Sequence, residues 1–158
     1  MFRKMRRFKQ ELSIHECIDV LKNEKRGVLS IIGENGYPYG IPMNHFYNEK
    51  DNKIYFHGAK EGYKIDSISK FKKVCYTVFD KGYRKENDWA LNVKSVVVFG
   101  DIDKVTNLDK TKEICESLCK RFTDDEEYLK NEIDNHLKNV LCLQITPIHI
   151  TGKLVNES

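Results

Sequence analysis

The sequence predicts an α+β fold, mainly β: about six antiparallel strands closing into a small barrel, with three or four peripheral helices. Three observations carry this expectation. Apolar and polar residues alternate along several short segments, clusters of Gly, Pro, Asn and Asp separate those segments, and helical spacing is confined to brief stretches between them. Closure is favoured over an open sheet because it leaves fewer unpaired ladder groups. The first element is a helix. Ser13 is placed to cap it and Glu16 to complete a capping box, with Ile14, Cys17, Ile18 and Leu21 on one face and an end expected near Gly27. Val28–Ile32 is the first strand, residues 33–36 (Gly-Glu-Asn-Gly) a hairpin turn, and Tyr37–Tyr47 a second strand. Pro38 and Pro42 within it mark an edge or an opening, because proline has no N–H to give to a neighbour.

Asn48–Asn52 turns the chain into a third strand, Lys53–His57; a small-residue loop and a short helix follow, and Lys73–Phe79 is the next strand. Lys81–Asp88 is a polar excursion. Ser95–Thr106 is a long strand expected to bend at Gly100, and Leu108–Phe122 and Asp125–Leu137 are two helices, the first with an Ile114, Leu118, Phe122 stripe. Val140–Leu154 closes the domain. No internal repeat or interdomain linker interrupts this order.

At 158 residues the chain suits one domain, which typically buries roughly 70% of its unfolded surface and needs no staples. Its five cysteines are odd in number and have no paired-ligand spacing, so free thiols in a cytoplasmic protein are expected. Cys115 and Cys119, one helical turn apart, suit a single packed face. The combination of His136, Cys142 and His149 fits no zinc spacing, and no metal is expected. No apolar run approaches the roughly 18 to 20 residues that cross a bilayer. The net charge is +3, yet five of the 27 basic residues lie in the first ten (Arg3, Lys4, Arg6, Arg7, Lys9), against 24 acidic residues overall. Residues 1–10 are therefore a basic arm, solvated or clasping a second subunit, on a domain of residues 11–158. A nucleic-acid role is disfavoured because nothing else supplies a broad positive face.

The segment Lys53–Lys73 carries the clearest chemical signal. It runs strand, small-residue loop, lysine, helix start, and backbone N–H groups at a helix start attract anions. Lys60 and Lys64 add full charges there, while Gly58, Ala59 and Gly62 permit close backbone approach. The loop matches neither a Walker loop nor a Rossmann fingerprint, so an ordinary strand-to-helix connection with two solvated lysines stands beside the phosphate reading.

Taken together, the Met5-Arg6-Arg7 start, Gly36–Tyr39 leading to Ile41–Asn44, Ile54–Lys64 and Ser95–Gly100 resemble the flavin-binding split barrels related to pyridoxamine 5'-phosphate oxidase, in the branch of Nim-type 5-nitroimidazole-resistance proteins. The likeness covers nearly the whole chain. It implies a six-stranded split β-barrel that binds FMN and forms a homodimer with the flavin at the subunit interface.

On that resemblance, FMN contact maps onto His57, Gly58, Ala59, Lys60, Gly62 and Lys64 for the phosphate end; a purely structural polar role for His57 stays open. The ring edge needs donors, because reduction places negative charge there, and the Pro42-Met43-Asn44 segment is the candidate to supply them. Ser95 is a second candidate, or a simple strand-start hydroxyl. Trp89 either covers the ring from a partner subunit or anchors the core or an interface. His45 is the one nearby side chain able to shuttle a proton near neutral pH, unless it faces solvent or the dimer contact.

The expected protein is an FMN-dependent oxidoreductase acting on a small molecule such as a nitroimidazole. NADH or NADPH would visit as a transient donor, since no separate dinucleotide-binding unit is present. A flavin-binding sensor or carrier without turnover is the alternative.

Overall fold

The computed structural model describes residues 1–156. It contains four helices, α1 (Ile14–Asn23), α2 (Tyr63–Lys70), α3 (Leu108–Cys119) and α4 (Glu126–His136). Seven strands complete it: β1 (Arg26–Ile32), β2 (Pro38–Asn44), β3 (Phe46–Asn48), β4 (Lys53–Ala59), β5 (Lys73–Phe79), β6 (Asn92–Val105) and β7 (Val140–Asn156). The capping box at Ser13 and Glu16 forms, and α1 stops at Asn23, before Gly27. The last two residues of the expected 11–158 unit, Glu157 and Ser158, lie outside the described residues.

All seven strands join one antiparallel sheet in the order β2-β1-β5-β6-β7-β4-β3. The count exceeds the expected six because the Tyr37–Tyr47 segment is two strands, broken at His45. This break shapes the barrel. The two edge strands, β2 and β3, are consecutive in sequence and joined by His45 alone, so the sheet curls until its edges meet at that corner.

Away from the corner the barrel is split. β3 pairs only with Lys53, Ile54 and Tyr55, which leaves Phe56–Ala59 without a partner on that edge, and β2 has a neighbour only on its β1 side. The two prolines therefore sit in an edge strand, as their missing N–H groups require. The long β6–β7 ladder shifts register between Phe99 and Gly100, the expected bend. A Cβ at Gly100 would lie 2.5 Å from the Thr146 carbonyl oxygen, so only glycine fits there.

Alternation divides the sheet into an inner and an outer side. Leu29, Ile31, Val74, Tyr76, Val78, Val96 and Val98 point inward with Leu21 of α1 and Ile65 of α2 to form the main core. A second cluster, Tyr55, Ile114, Cys115, Leu118, Ile133 and Cys142, packs α3 and α4 on the other side of β4 and β7. The basic arm lies on its own sheet: Phe2 stacks on His149 at 4.4 Å between centroids and on Phe99 at 5.5 Å. Arg121 ties α1 to the region after α3 by donating to the carbonyls of Lys22 and Glu24 at 3.0 and 2.6 Å.

Candidate functional site

The split between β2 and β4 is where the predicted phosphate and ring segments meet. α2 lies over it, held by the hairpin turn between β1 and β2: the Glu34 N–H donates to Ser67 Oγ at 3.2 Å, and the Tyr63 hydroxyl donates to Asn35 Oδ1 at 2.7 Å. Tyr39 of β2 meets Tyr63 edge to face with centroids 5.2 Å apart. These contacts fix the start of α2 beside the opening. Its N-cap is Gly62, at φ +120°, which provides no side-chain acceptor for the first N–H groups. Unsatisfied donors at a helix start are a ready anion seat.

Lys64 reaches from this helix start into the split. Its Nζ lies 3.8 Å from Met43 Sδ on β2, and 3.2 Å from where a Cβ on Gly58 would stand on β4. Among the described residues no carboxylate pairs with it, and burial alone lowers its pKa. A half-buried ammonium facing a sulfur and a glycine has no counter-ion among the described residues, and the missing side chain of Gly58 is what lets Nζ approach the β4 backbone. Ala59 at the end of β4 and Lys60 on the loop after it are exposed beside it.

Other predicted residues point elsewhere, because neighbours in a strand face opposite sides. Met43 faces the split, whereas Pro42 and Asn44 are exposed on the outer side. There Asn44 Oδ1 accepts from Arg26 Nε at 2.8 Å, which leaves the Asn44 amide NH2 available as a donor. Pro42, Arg26, Phe79 and Lys81 line an open depression of about 740 Å³ on this side. His57 turns away from Lys64's contacts and lines a small cavity with Cys115, Cys119 and His136. Its pKa is lowered, first by burial and then by the Lys64 charge.

His45 is a correction to the expected proton shuttle. It faces neither solvent nor a ring-binding surface but is 0% exposed at the barrel corner. Nε2 contacts the Leu21 carbonyl at 2.6 Å, and Nδ1 lies 2.8 Å from the Tyr76 hydroxyl, which also reaches the Met43 carbonyl at 3.1 Å. Burial pushes its pKa down to about 4. It therefore stays neutral and acts on the site through position: with Tyr76 it fixes the end of β2.

Ser95 and Trp89 are not brought to the split. Two strands, β1 and β5, separate β2 from β6, so Ser95 is roughly 14 Å across the sheet from β2. Trp89 is 73% exposed in the loop before β6, where its carbonyl accepts from Arg84 Nε at 2.8 Å. His136, Cys142 and His149 are also dispersed: His136 pairs with Glu132, Cys142 contacts Cys115, and His149 stacks on Phe2.

Sequence reasoning missed Tyr76, Tyr39 and Arg26. Alternation from Met43 back through Ile41 points to Tyr39. Tyr76 and Arg26 act through pairings that local sequence does not encode.

The comparisons with known proteins agree with this architecture. The profile described as pyridoxamine 5'-phosphate oxidase matches residues 13–154. The chain belongs to that family. No curated protein matches it. Among solved structures it is similar to a candidate 5-nitroimidazole antibiotic resistance protein from Bacteroides thetaiotaomicron, with 19% identity over 92% of this chain and 87% of the other, TM-score 0.78. A FAD-binding protein from Mesorhizobium loti shares 22% identity over 92% and 97% of the two chains, TM-score 0.67. The flavocytochrome Anf3 from Azotobacter vinelandii shares 16% over 97% and 72%, TM-score 0.78. At these identities the likeness establishes the fold, a split barrel of the pyridoxamine 5'-phosphate oxidase type. Among the described residues no helix is long and apolar enough to cross a membrane.

Proposed function

We propose that this protein binds FMN and is a cytoplasmic, FMN-dependent oxidoreductase, with a small nitroaromatic such as a 5-nitroimidazole as substrate. The observation that carries the cofactor assignment is Lys64: a half-buried ammonium with no carboxylate partner among the described residues, beside an uncapped helix start and the side-chain-free Gly58. A phosphomonoester bears about −1.5 to −2 charges near neutral pH. Lys64, Lys60 and the first N–H groups of α2 would neutralise it, with Gly58, Ala59 and Gly62 allowing its approach. His57 adjoins the same strand end from the other side.

The backbone of Pro42, Met43 and Asn44 would hold the ring edge, with the free Asn44 amide as donor. When bound, FMN supplies hydride or single-electron transfer, and NADH or NADPH is the proposed transient donor. The structural neighbours, which include FAD-binding proteins and one named for nitroimidazole resistance, support a flavin and that substrate class. The free state of all five cysteines supports a reducing compartment.

A homodimer is part of the same reading. Phe79 and Phe99 lie on the outer side of the sheet, Trp89 stands nearby in chain order, and all three are exposed aromatics that a second copy would cover. Ser95 faces this side too, so a partner's flavin, rather than the chain's own, is the one within its reach.

An absorption spectrum of the purified protein with added FMN tests the cofactor. A bound-flavin spectrum that bleaches with NADH or NADPH and recovers on adding a nitroimidazole supports the whole reading. Failure to take up FMN overturns it. A bound flavin that never bleaches would favour a sensor or carrier, the reading that the burial of His45 favours by removing the one expected proton shuttle.

A further inference from the structure

Three cysteines gather where α3 and α4 cover β4 and β7. Cys115 of α3 and Cys142 of β7 are both buried, with sulfurs 3.8 Å apart. Cys115 and Cys119 line a cavity of about 100 Å³ together with His57, His136 and Leu137. That space admits a molecule of about the size of water, whose share of liquid volume is about 30 Å³. Cys142 is not among the cavity's lining residues and is fully buried.

The two thiols differ in character. The hydrogen bond with Cys142 lowers the Cys115 pKa, whereas the same bond and burial raise that of Cys142. Cys142 Sγ also lies 3.8 Å from the Thr111 carbonyl, a second acceptor for its proton. A sulfur that lines a cavity, with a second, fully enclosed thiol in contact behind it, is the arrangement of a reacting and a resolving cysteine. The remaining cysteines lack it. Cys17 is buried with its pKa pushed up to about 11, burial likewise raises Cys119, and Cys75 contacts the Thr77 hydroxyl at 3.8 Å.

We propose that Cys115 and Cys142 form a peroxide-responsive dithiol, in which Cys115 reacts with hydrogen peroxide and Cys142 closes a disulfide. The Cys115 thiolate attacks one peroxide oxygen, the O–O bond breaks, and the departing hydroxide takes up a proton to become water. Cys115 is now a sulfenic acid. The Cys142 sulfur attacks the Cys115 sulfur, the S–O bond breaks, and the hydroxyl leaves with the Cys142 proton as a second water. The two thiols lose two electrons and two protons, and the peroxide is reduced to two waters. A disulfide is about 2.05 Å long, so the sulfurs, now 3.8 Å apart, close by less than about 2 Å.

The disulfide would pin α3 to β7 directly opposite His57, the cross-strand partner of Cys142. This inference does not rest on flavin binding. The test treats the purified full chain with hydrogen peroxide, alkylates it in urea and maps its peptides without reduction. We expect a linked pair carrying Cys115 and Cys142, lighter by two hydrogens and released by dithiothreitol, with the same link in Cys119→Ser. In Cys142→Ser a sulfenic-acid trap should label Cys115. Equal alkylation of both thiols with and without peroxide would overturn the proposal, as would a link that disappears in Cys119→Ser. Should Cys142→Ser not fold, the wild-type peptide map decides by itself.

Discussion

Two side chains at the split concentrate the consequences that single residues can have. Lys64 is held between Met43 and Gly58 with no carboxylate to balance it among the described residues, so a bound phosphate would gain a charge-assisted hydrogen bond that no described neighbour takes. Such bonds contribute about 1.5 to 3 kcal/mol. Lys64→Ala should therefore weaken FMN binding by roughly 10- to 100-fold, whereas Lys104→Ala, on exposed β6 surface, should leave it unchanged; flavin fluorescence titration measures both, and equal affinities would refute the phosphate assignment. His45 has the opposite situation, with both ring nitrogens already engaged inside the core. A neutral ring fits because Nε2–H donates to the Leu21 carbonyl, while Nδ1 and the Met43 carbonyl share the single Tyr76 hydroxyl proton. Burial lowers its pKa from 6.5 to about 4, so between those values the unfolded chain binds a proton that the folded one refuses. Stability must then fall as pH falls through that window, by about 2 kcal/mol between pH 7 and pH 5 from this group. Urea midpoints at the two pH values provide the check, with His45→Gln expected to reduce the difference.

At the scale of elements, the start of α2 depends on a backbone shape rather than on a side chain. Gly62 adopts φ +120° and ψ 172°, a conformation that L side chains rarely adopt, and no atom lies near enough to obstruct a Cβ there. The cost of Gly62→Ala is therefore conformational, about 1 to 3 kcal/mol, and it falls on the N–H groups that face the split. Thermal denaturation should show the loss, and FMN titration should show weaker binding in the protein that remains folded; an unaffected affinity would separate the α2 start from the cofactor. The strands themselves were legible because period-two alternation and turn chemistry agree at β1, β4, β5, β6 and β7, and the capping box announced α1. His45 was not, since a buried polar corner disturbs no periodicity and the nearby prolines signal an edge rather than a corner. Alternation was available for the site as well: read strictly, it separates Met43 from Pro42 and Asn44, and Gly58 from His57. What no local pattern could reveal is how α2, β2 and β4 converge on Lys64, because that depends on the sheet's two edges meeting at residue 45.

For the molecule as a whole, the outer side of the sheet is the surface whose chemistry a lone chain leaves unexplained. Phe99 is partly covered by the chain's own Phe2, but Phe79 remains 59% exposed at the rim of the 740 Å³ depression that also contains Pro42 and Arg26. A stable interface commonly removes about 800 Å² from each partner and centres on buried aromatics. Phe79 is placed for that role, beside the outward-facing ring-edge residues, so assembly and cofactor affinity should be coupled if a second copy closes the depression. Phe79→Glu would place a charge in the middle of the contact, where leaving it unpaired costs several kcal/mol. Its own fold should survive, because the side chain lies outside both apolar clusters. Analytical ultracentrifugation should find the wild type dimeric and Phe79→Glu monomeric, with unchanged circular dichroism and FMN affinity reduced at least about tenfold, the equivalent of 1.4 kcal/mol. A variant that is monomeric yet binds FMN as tightly as the wild type would show that one chain completes the flavin site alone; a wild type that is itself monomeric would remove the dimer from the proposal.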